Sequence, residues 1–405
     1  MMKYFKLFEE CYLVNGADEN AIYNTLSGDI FLVRNEEKDL LTRTENNMPI
    51  TKACDELNID LNIAKEYLDK FKQSNLGEYY EVPVTAEKLE LVPKWIDKLF
   101  FKLPPVIGRA TIGIGGLCNQ KCSFCNSKDK VNKMKCLACT GIDKSEVETI
   151  SLDTACKIIS LLQKYKCKQV YLKDGNLLLN WKLIRDIVEH SKKSGIEKVV
   201  LNFTAAIEDK EILDYIKNNN ISLILQRSID ENFDIQSLIS EDSRYIGIDY
   251  TYFFLADYEM KSEVINIYNL LNQNNINNIM CDFIVHKDLN LIPKEYIKEC
   301  NSLSRVSVEN FSVNKKYNPC FYQSCYFDKL GNVYPCLGLL DFKYGNINDS
   351  VSTFKEENLN AFWKLNKDKL SKCSTCEVRY ACGDCRSLEY AVSGDITNNS
   401  FCFKR

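Results

Sequence analysis

Histidine is almost missing from this chain, with only His190 and His286 in 405 positions. That scarcity argues against acid-base or metal chemistry built on imidazole. Long apolar runs are missing too, and no stretch approaches the roughly 18 residues that a membrane span needs. The opening residues, MMKYFKLFEE, lack a basic segment followed by an apolar one, so no secretory signal is read and a cytoplasmic protein is expected. A net charge of -4 supplies no global field for nucleic acid or anionic lipid, and neither partner is expected. What remains is an ordinary globular composition, 45% apolar and 27% charged, long enough for roughly two to four domains.

Cysteine is what the chain has in excess. Nineteen is an odd number and more than packing requires, so a secreted disulfide framework is disfavoured and metal ligation is the default. Cys118, Cys122 and Cys125 lie in GLCNQKCSFCN as C-x3-C-x2-C. Iron-sulfur clusters are usually closed by four cysteines, so three thiolates leave one iron open to a small molecule. A structural zinc knot is the alternative, although zinc prefers four closed ligands. The spacing, with Phe124 before the last cysteine and the strand-like ATIGIG before the first, resembles the signature of the radical S-adenosylmethionine (SAM) enzymes. The resemblance implies that SAM chelates the open iron and that an electron from the cluster cleaves it to a 5'-deoxyadenosyl radical.

A second group follows: Cys320, Cys325 and Cys336, then Cys373, Cys376, Cys382 and Cys385 in CSTCEVRYACGDC, then Cys402. Together with the Gly331-x4-Cys336 turn, these spacings resemble the SPASM extension of peptide-modifying radical SAM enzymes. The resemblance implies two auxiliary clusters with interleaved ligands. Cys320, Cys325, Cys336 and Cys385 would hold the first, and Cys373, Cys376, Cys382 and Cys402 the second, making three 4Fe-4S clusters in all. Two zinc ribbons would have the same ligand count.

Eight cysteines remain. Cys156 and Cys281 sit in apolar-periodic segments, where the thiol acts as a small hydrophobe. Cys11, Cys54, Cys167 and Cys300 have no partner at ligand spacing. Cys136 and Cys139, in KCLACTG, are open to three readings: a redox pair, part of a metal site, or a loop that meets substrate. The Lys-rich surroundings predict an exposed, structural loop.

Between the cysteine groups, short β-rich runs alternate with amphipathic helical stretches, which predicts parallel strands with crossover helices. Strands are predicted near Ile112, Tyr171, Leu201, Ile224, Ile248 and Phe283. Helical faces carry Ala155, Ile158, Ile159 and Leu162, then Leu183, Ile184, Ile187 and Val188. Six such units match the open (β/α)6 barrel that the resemblance implies, with ligands at the carboxyl ends of the strands. One departure is visible. The family carries Gly-Gly-Glu-Pro after the second strand, whose Glu accepts a hydrogen bond from the SAM amino group, whereas this chain has Asp174-Gly175-Asn176-Leu177. Asn176 offers a neutral carbonyl, a weaker acceptor for an amine than a carboxylate, and Asp174 is placed to compensate. The same run also suits a plain strand-to-helix turn. Arg227 is a candidate partner for the SAM carboxylate, with helix capping or surface pairing equally open; no catalytic residue is assigned.

Before residue 86, short β runs precede three helical stretches and a final EYYEV run, a pattern resembling a small winged-helix module. Through Glu81 it carries 9 basic against 16 acidic side chains, the wrong sign for DNA phosphates. It resembles the precursor-recognition element of ribosomal peptide maturases, which takes a leader peptide as an added strand beside a helix.

The expected organisation is α/β: a winged-helix-like recognition module at 1–85, a linker at 86–106 with Pro93, Pro104 and Pro105, a radical SAM partial barrel at 107–310 and a SPASM domain at 311–405. The expected activity is removal of a hydrogen from a bound precursor peptide, leading to a crosslink, foremost a Cys thioether. A carbon-carbon or other crosslink, sulfatase-type oxidation of Ser or Cys, and a non-catalytic iron-sulfur carrier or sensor are the alternatives. The implied partners are the precursor peptide and a reductant such as flavodoxin or ferredoxin.

Overall fold

The structure, a computed structural model, describes residues 3–91, 106–122, 124–125, 127–139, 148–300, 303–349, 354–383, 385–402 and 404. It divides into two units, and residues 311–405 contribute to both. Most of the linker read at 86–106, including its three prolines, lies outside the described residues.

The first unit comprises Met1–Phe101, Asn301–Pro319 and Trp363–Asp384. Its strand β1 (Tyr4–Leu7) pairs antiparallel with β5 (Gly77–Tyr80), while β2 (Cys11–Asn15), β3 (Asn20–Asn24) and β4 (Ile30–Val33) form an antiparallel meander. Helices α1 (Asn35–Glu45), α2 (Ile50–Leu57) and α3 (Leu61–Gln73) close the unit, and Phe5, Leu40, Leu41, Leu68 and Phe71 form its core. The Asp60 carboxylate caps α3 by accepting from the Asn62 and Ile63 amides, two donors that a helix start otherwise leaves unpaired. A second core joins Tyr23 of β3 to Phe311 and Tyr380 from the C-terminal pieces, and the Tyr23 hydroxyl donates to the Glu377 carbonyl at 2.9 Å. Strand β4 pairs with β3 alone among the described residues, and its Leu32 is 55% exposed.

The second unit comprises Lys102–Cys300, Cys320–Phe362 and Cys385–Arg405. Six of its strands run parallel and neighbour one another in chain order: β6 (Arg109–Gly113), β8 (Gln169–Lys173), β9 (Lys198–Phe203), β10 (Ser222–Ile229), β11 (Tyr250–Asp257) and β12 (Ile279–His286). Helices α4 (Leu152–Lys164), α5 (Trp181–Lys193), α6 (Lys210–Asn218), α7 (Ile235–Asp242) and α8 (Lys261–Gln273) link them. The faces predicted for α4 and α5 are buried at Ala155, Ile158, Ile159, Leu162, Ile184, Ile187 and Val188; Leu183 is only half-buried. One strand starts later than the sequence predicts. Gly247 takes φ +81, Ile248 closes a turn onto the Tyr245 carbonyl, and pairing begins only at Tyr250.

Both edges of the parallel array are covered. The short β7 (Lys130–Asn132) lies antiparallel on β12, and β13 (Ser324–Phe327) runs parallel to β6, followed by antiparallel β14 (Asn332–Tyr334) and β15 (Gly345–Asn346). Among the described residues the sheet therefore has ends, which makes it a partial barrel rather than a closed one.

Residues 132–139, which follow β7, occupy the concave face; Cys136 is exposed, as the sequence predicts, whereas Ala138 and Cys139 are buried. Ala138 is fully buried among Val200, Ile224, Phe253, Leu255 and Ile284. Four inward side chains on four strands bind this segment. The Lys173 ammonium donates to the Lys135 and Ala138 carbonyls, and the Asn202 amide to the Leu137 carbonyl at 2.6 Å. Gln226 accepts from the Cys139 amide at 2.5 Å, and Asp282 accepts from the Met134 amide at 2.6 Å and the Asn132 side chain at 2.7 Å. Burial pushes the Asp282 carboxyl above the ordinary carboxylate range, and these hydrogen bonds pull it back. Lys-rich composition hid the burial of Ala138 and Cys139 because the partners of this segment lie 35 to 150 residues away.

Lys173 is 1% exposed and its ammonium stands 4.0 Å from the Asp174 carboxylate. Lys173→Met strips a buried carboxylate and two buried carbonyls of their cation, a loss of about 3–5 kcal/mol. Thermal melting should show it, together with faster amide exchange at Met134 and Cys139; unchanged exchange there would show that the segment is held by other contacts.

Candidate functional site

The first cysteine group begins at the carboxyl end of β6. The chain leaves the sheet through Gly115 and Gly116 at φ +68 and +90, and a Cβ on Gly116 would stand 2.1 Å from the Thr149 methyl. The Leu117 carbonyl accepts the Asn176 amide at 3.2 Å, tying the loop to the turn after β8. Cys118, Cys122 and Cys125 are all half-buried. The Cys125 thiol is pushed far above its ordinary value by a hydrogen bond with Cys122 and by burial, and the charges of Cys122, Cys139 and Cys118 add to the effect. Three thiols on one loop are the donor set that a three-thiolate iron-sulfur site would need. Cys139 is an addition that the sequence left open. Its signal lay in the polar residues at inward positions of apolar strands, Asn202 and Gln226, which mark a backbone segment inside the barrel.

The residues expected to contact SAM are brought near this loop, but several are already engaged. Asn176 is 3% exposed, its amide donates to Asn119 at 2.8 Å and its carbonyl caps the following turn at the Leu178 amide, 3.1 Å away. Asp174 is buried at φ +81 beside Lys173. The Gly175 carbonyl accepts from the Thr204 hydroxyl at 3.3 Å. Arg227 pairs with Glu241 at 2.5 Å and donates to the Gln226 carbonyl at 2.8 Å. Phe124 packs against the apolar interior around Ala138. A cavity of about 360 Å3 opens between the cysteine loop and the carboxyl end of β10, lined by Lys121, Cys122, Thr204, Arg227, Asp230 and Asp234.

A second thiol group surrounds a cavity of about 90 Å3 in the same unit, lined by Cys320, Cys325, Cys336 and Cys385, the four ligands read for one auxiliary cluster, and by Cys136. Burial raises the Cys336 thiol, while the Gly338 amide, the Ser387 hydroxyl and the Lys173 charge pull it down. Ser387 also lies 3.1 Å from the Cys385 sulfur. A Cβ on Gly338 would meet the Ser387 Cβ at 2.5 Å, so glycine is required for this approach. The Tyr344 hydroxyl is buried without a hydrogen-bond partner, and its charge couples to Cys325 and Cys336. A buried hydroxyl in that state calls for an acceptor.

Cys373, Cys376 and Cys382 fold in the first unit, where Cys376 closes a turn on the Cys373 carbonyl at 2.9 Å and Arg379 ties the Cys376 carbonyl to that of Asn15. Cys402, read as their fourth partner, belongs to the second unit. The cysteines left to packing behave as such: Cys11, Cys54, Cys167 and Cys300 are buried, and burial pushes Cys11 up to about 12 and Cys167 and Cys300 to about 11. Cys156 and Cys281 are half-buried.

Gly113, the last residue of β6, lies under the Tyr326 hydroxyl and the Asp174 carboxylate. A Cβ there would stand 2.3 Å from the hydroxyl and 3.0 Å from the carboxylate oxygen. Gly113→Ala should cost about 1–3 kcal/mol through overpacking, and adding Tyr326→Phe should recover part of it. Melting curves of the single and double variants test the contact; additive losses would show that the hydroxyl is not what limits this position.

No protein-family model matches the chain. A curated relative, the AdoMet-dependent heme synthase of Nitratidesulfovibrio vulgaris (AdoMet being SAM), is 30% identical over 95 residues, which span 22% of this chain and only 25% of that enzyme. Among solved structures, anSMEcpe with bound AdoMet superposes with a TM-score of 0.52 at 14% identity, over 72% of this chain and 94% of that one. Streptococcus suis SuiB bound to its precursor peptide SuiA covers 98% of this chain and all of its own at 12% identity, with a TM-score of 0.47. From the first of these likenesses, and from its parallel array, the chain has the mixed α/β fold of anSMEcpe.

Proposed function

We propose that the protein is a radical SAM enzyme that modifies a ribosomally made peptide in the cytoplasm. The observation that carries this reading is the convergence of Cys118, Cys122 and Cys125 at the carboxyl end of the first parallel strand, where α/β folds bind their ligands. Cys118, Cys122 and Cys125 would hold a 4Fe-4S cluster with one open iron. SAM bound there would supply radical chemistry, a 5'-deoxyadenosyl group able to accept a hydrogen atom from the peptide, once a flavodoxin- or ferredoxin-type donor had provided an electron. The chain's own contribution is position and exclusion of water. Thr204, Arg227 and the cysteine loop border the cavity that would receive the cofactor, and the segment around Ala138 packs the barrel interior. Cys320, Cys325, Cys336 and Cys385 would hold one auxiliary cluster, with Ser387 beside its sulfurs. Cys373, Cys376 and Cys382 would serve the other. The product we favour is a thioether between a peptide cysteine and a carbon that has lost its hydrogen.

The first unit would hold the leader peptide. Strand β4 offers an edge paired on one side, beside the exposed Leu32, which suits an added strand. Removing residues 1–85 would uncover Phe311 and Tyr380, so a point change is the better probe. Leu32→Lys should weaken precursor binding by roughly tenfold, at about 1.4 kcal/mol per factor of ten, with SAM cleavage intact. Binding unchanged by Leu32→Lys would remove the recognition surface from β4.

One observation favours a second reading. With Asn176 committed to Asn119 and Leu178, a non-catalytic iron-sulfur carrier would need no rearrangement there. Anaerobic reconstitution decides between the two. The enzyme should hold about 12 Fe per chain and release 5'-deoxyadenosine from SAM on reduction, and joint replacement of Cys118, Cys122 and Cys125 by Ala should leave about 8 Fe and no cleavage. The matured peptide should be about 2 Da lighter per link with its sulfur resistant to reduction and alkylation, since each link removes one hydrogen from sulfur and one from carbon. Zinc in place of iron, or no cleavage by the loaded and reduced protein, would overturn the enzymatic reading.

A further inference from the structure

The cavity assigned to the first auxiliary cluster is lined by five thiols, although a four-iron cluster takes four. Three of them, Cys325, Cys336 and Cys385, are buried or half-buried. Cys320 and Cys136 are exposed, and they approach along different elements: Cys320 precedes β13, while Cys136 rides on the segment that Lys173, Asn202, Gln226 and Asp282 hold inside the barrel. Both nevertheless line the one cavity that Cys325, Cys336 and Cys385 line. Independently, the Ser387 hydroxyl lines this cavity 3.1 Å from the Cys385 sulfur, a polar group placed among the thiols.

We propose that Cys136 and Cys320 are alternative ligands to one iron of this cluster, the other three irons being held by Cys325, Cys336 and Cys385. This rests on the auxiliary-cluster reading above. The exchange breaks the iron-sulfur bond to Cys320 and forms the one to Cys136. The proton leaving the incoming thiol passes to the departing thiolate, and no electron is transferred. Cys136 is thereby a ligand supplied by the barrel insert, and the cluster has one exchangeable corner and three fixed ones.

The test is thiol protection, read by mass spectrometry of peptides after anaerobic iodoacetamide labelling of the full-length, reconstituted protein. In the wild type, chains alkylated at Cys136 or at Cys320 should appear, and chains alkylated at both should appear only with loss of iron. In Cys320→Ser, Cys136 should label roughly tenfold more slowly with the cluster than without it, because the thiolate at iron is withheld from the reagent. Cys136→Ser should protect Cys320 in the same way. Equal labelling of Cys136 with and without the cluster in Cys320→Ser would overturn the proposal while leaving the auxiliary cluster standing. If Cys325, Cys336 and Cys385 are themselves unprotected in the reconstituted wild type, the auxiliary cluster is absent and the reading beneath the proposal fails as well.

Discussion

Capture of a short backbone segment by four inward-pointing polar side chains organises the second unit. Lys173, Asn202, Gln226 and Asp282 stand on four strands and each binds main-chain atoms between Met134 and Cys139. Each such bond contributes about 0.5–3 kcal/mol net, with the charged partners at the upper end, but a partner lost from this interior would leave a buried group unsatisfied. The segment therefore has one placement. It carries Ala138 into the apolar interior, Cys139 toward the first cysteine group and Cys136 to the cavity of the second. Without it the two thiol groups would share a sheet and little else.

Charge follows from the same placement. Lys173 is buried with Asp174 close by, and the Lys135 ammonium is held below its ordinary range by burial and by Lys173, while Cys336, Asp174 and Cys385 pull it back up. Two cations thus border a ring of thiols in a region of low dielectric, where a charge pair counts for more than it does in water. That arrangement would offset the negative charge of these thiols in their ionised form. It also explains why lysine, read in the sequence as a mark of exposure, occurs at an inward strand position.

Most of the parallel array could be read from the sequence because buried parallel strands are apolar throughout and the helices between them repeat with a helical period. QVYLK, KVVLNF and IMCDFIV became strands where expected. YIGIDY did not begin as expected, since Gly247 turns the chain before Tyr250 and propensity alone does not weigh that. The eight cysteines after residue 319 were visible as ligand types, but their division between units was not, because contacts such as that of Tyr23 with Glu377 span 354 residues. Asn176 was visible as a departure from the expected glutamate. That its side chain would hold the cysteine loop through Asn119 depends on a turn geometry that spacing does not encode.

The placement of β7 also sets an order of events during synthesis. Residues 130–132 pair with β12, and the Met134 amide reaches Asp282 across 148 residues, so neither contact can form until the sixth parallel strand has left the ribosome. At roughly 5–20 residues per second, that interval lasts several seconds or more. Throughout it the strand ahead of Cys118 and the thiols at Cys118, Cys122 and Cys125 already exist, while the segment that later fills the barrel hangs outside. Closure of the interior is therefore a late event in synthesis, later than the appearance of every thiol of the first cysteine loop.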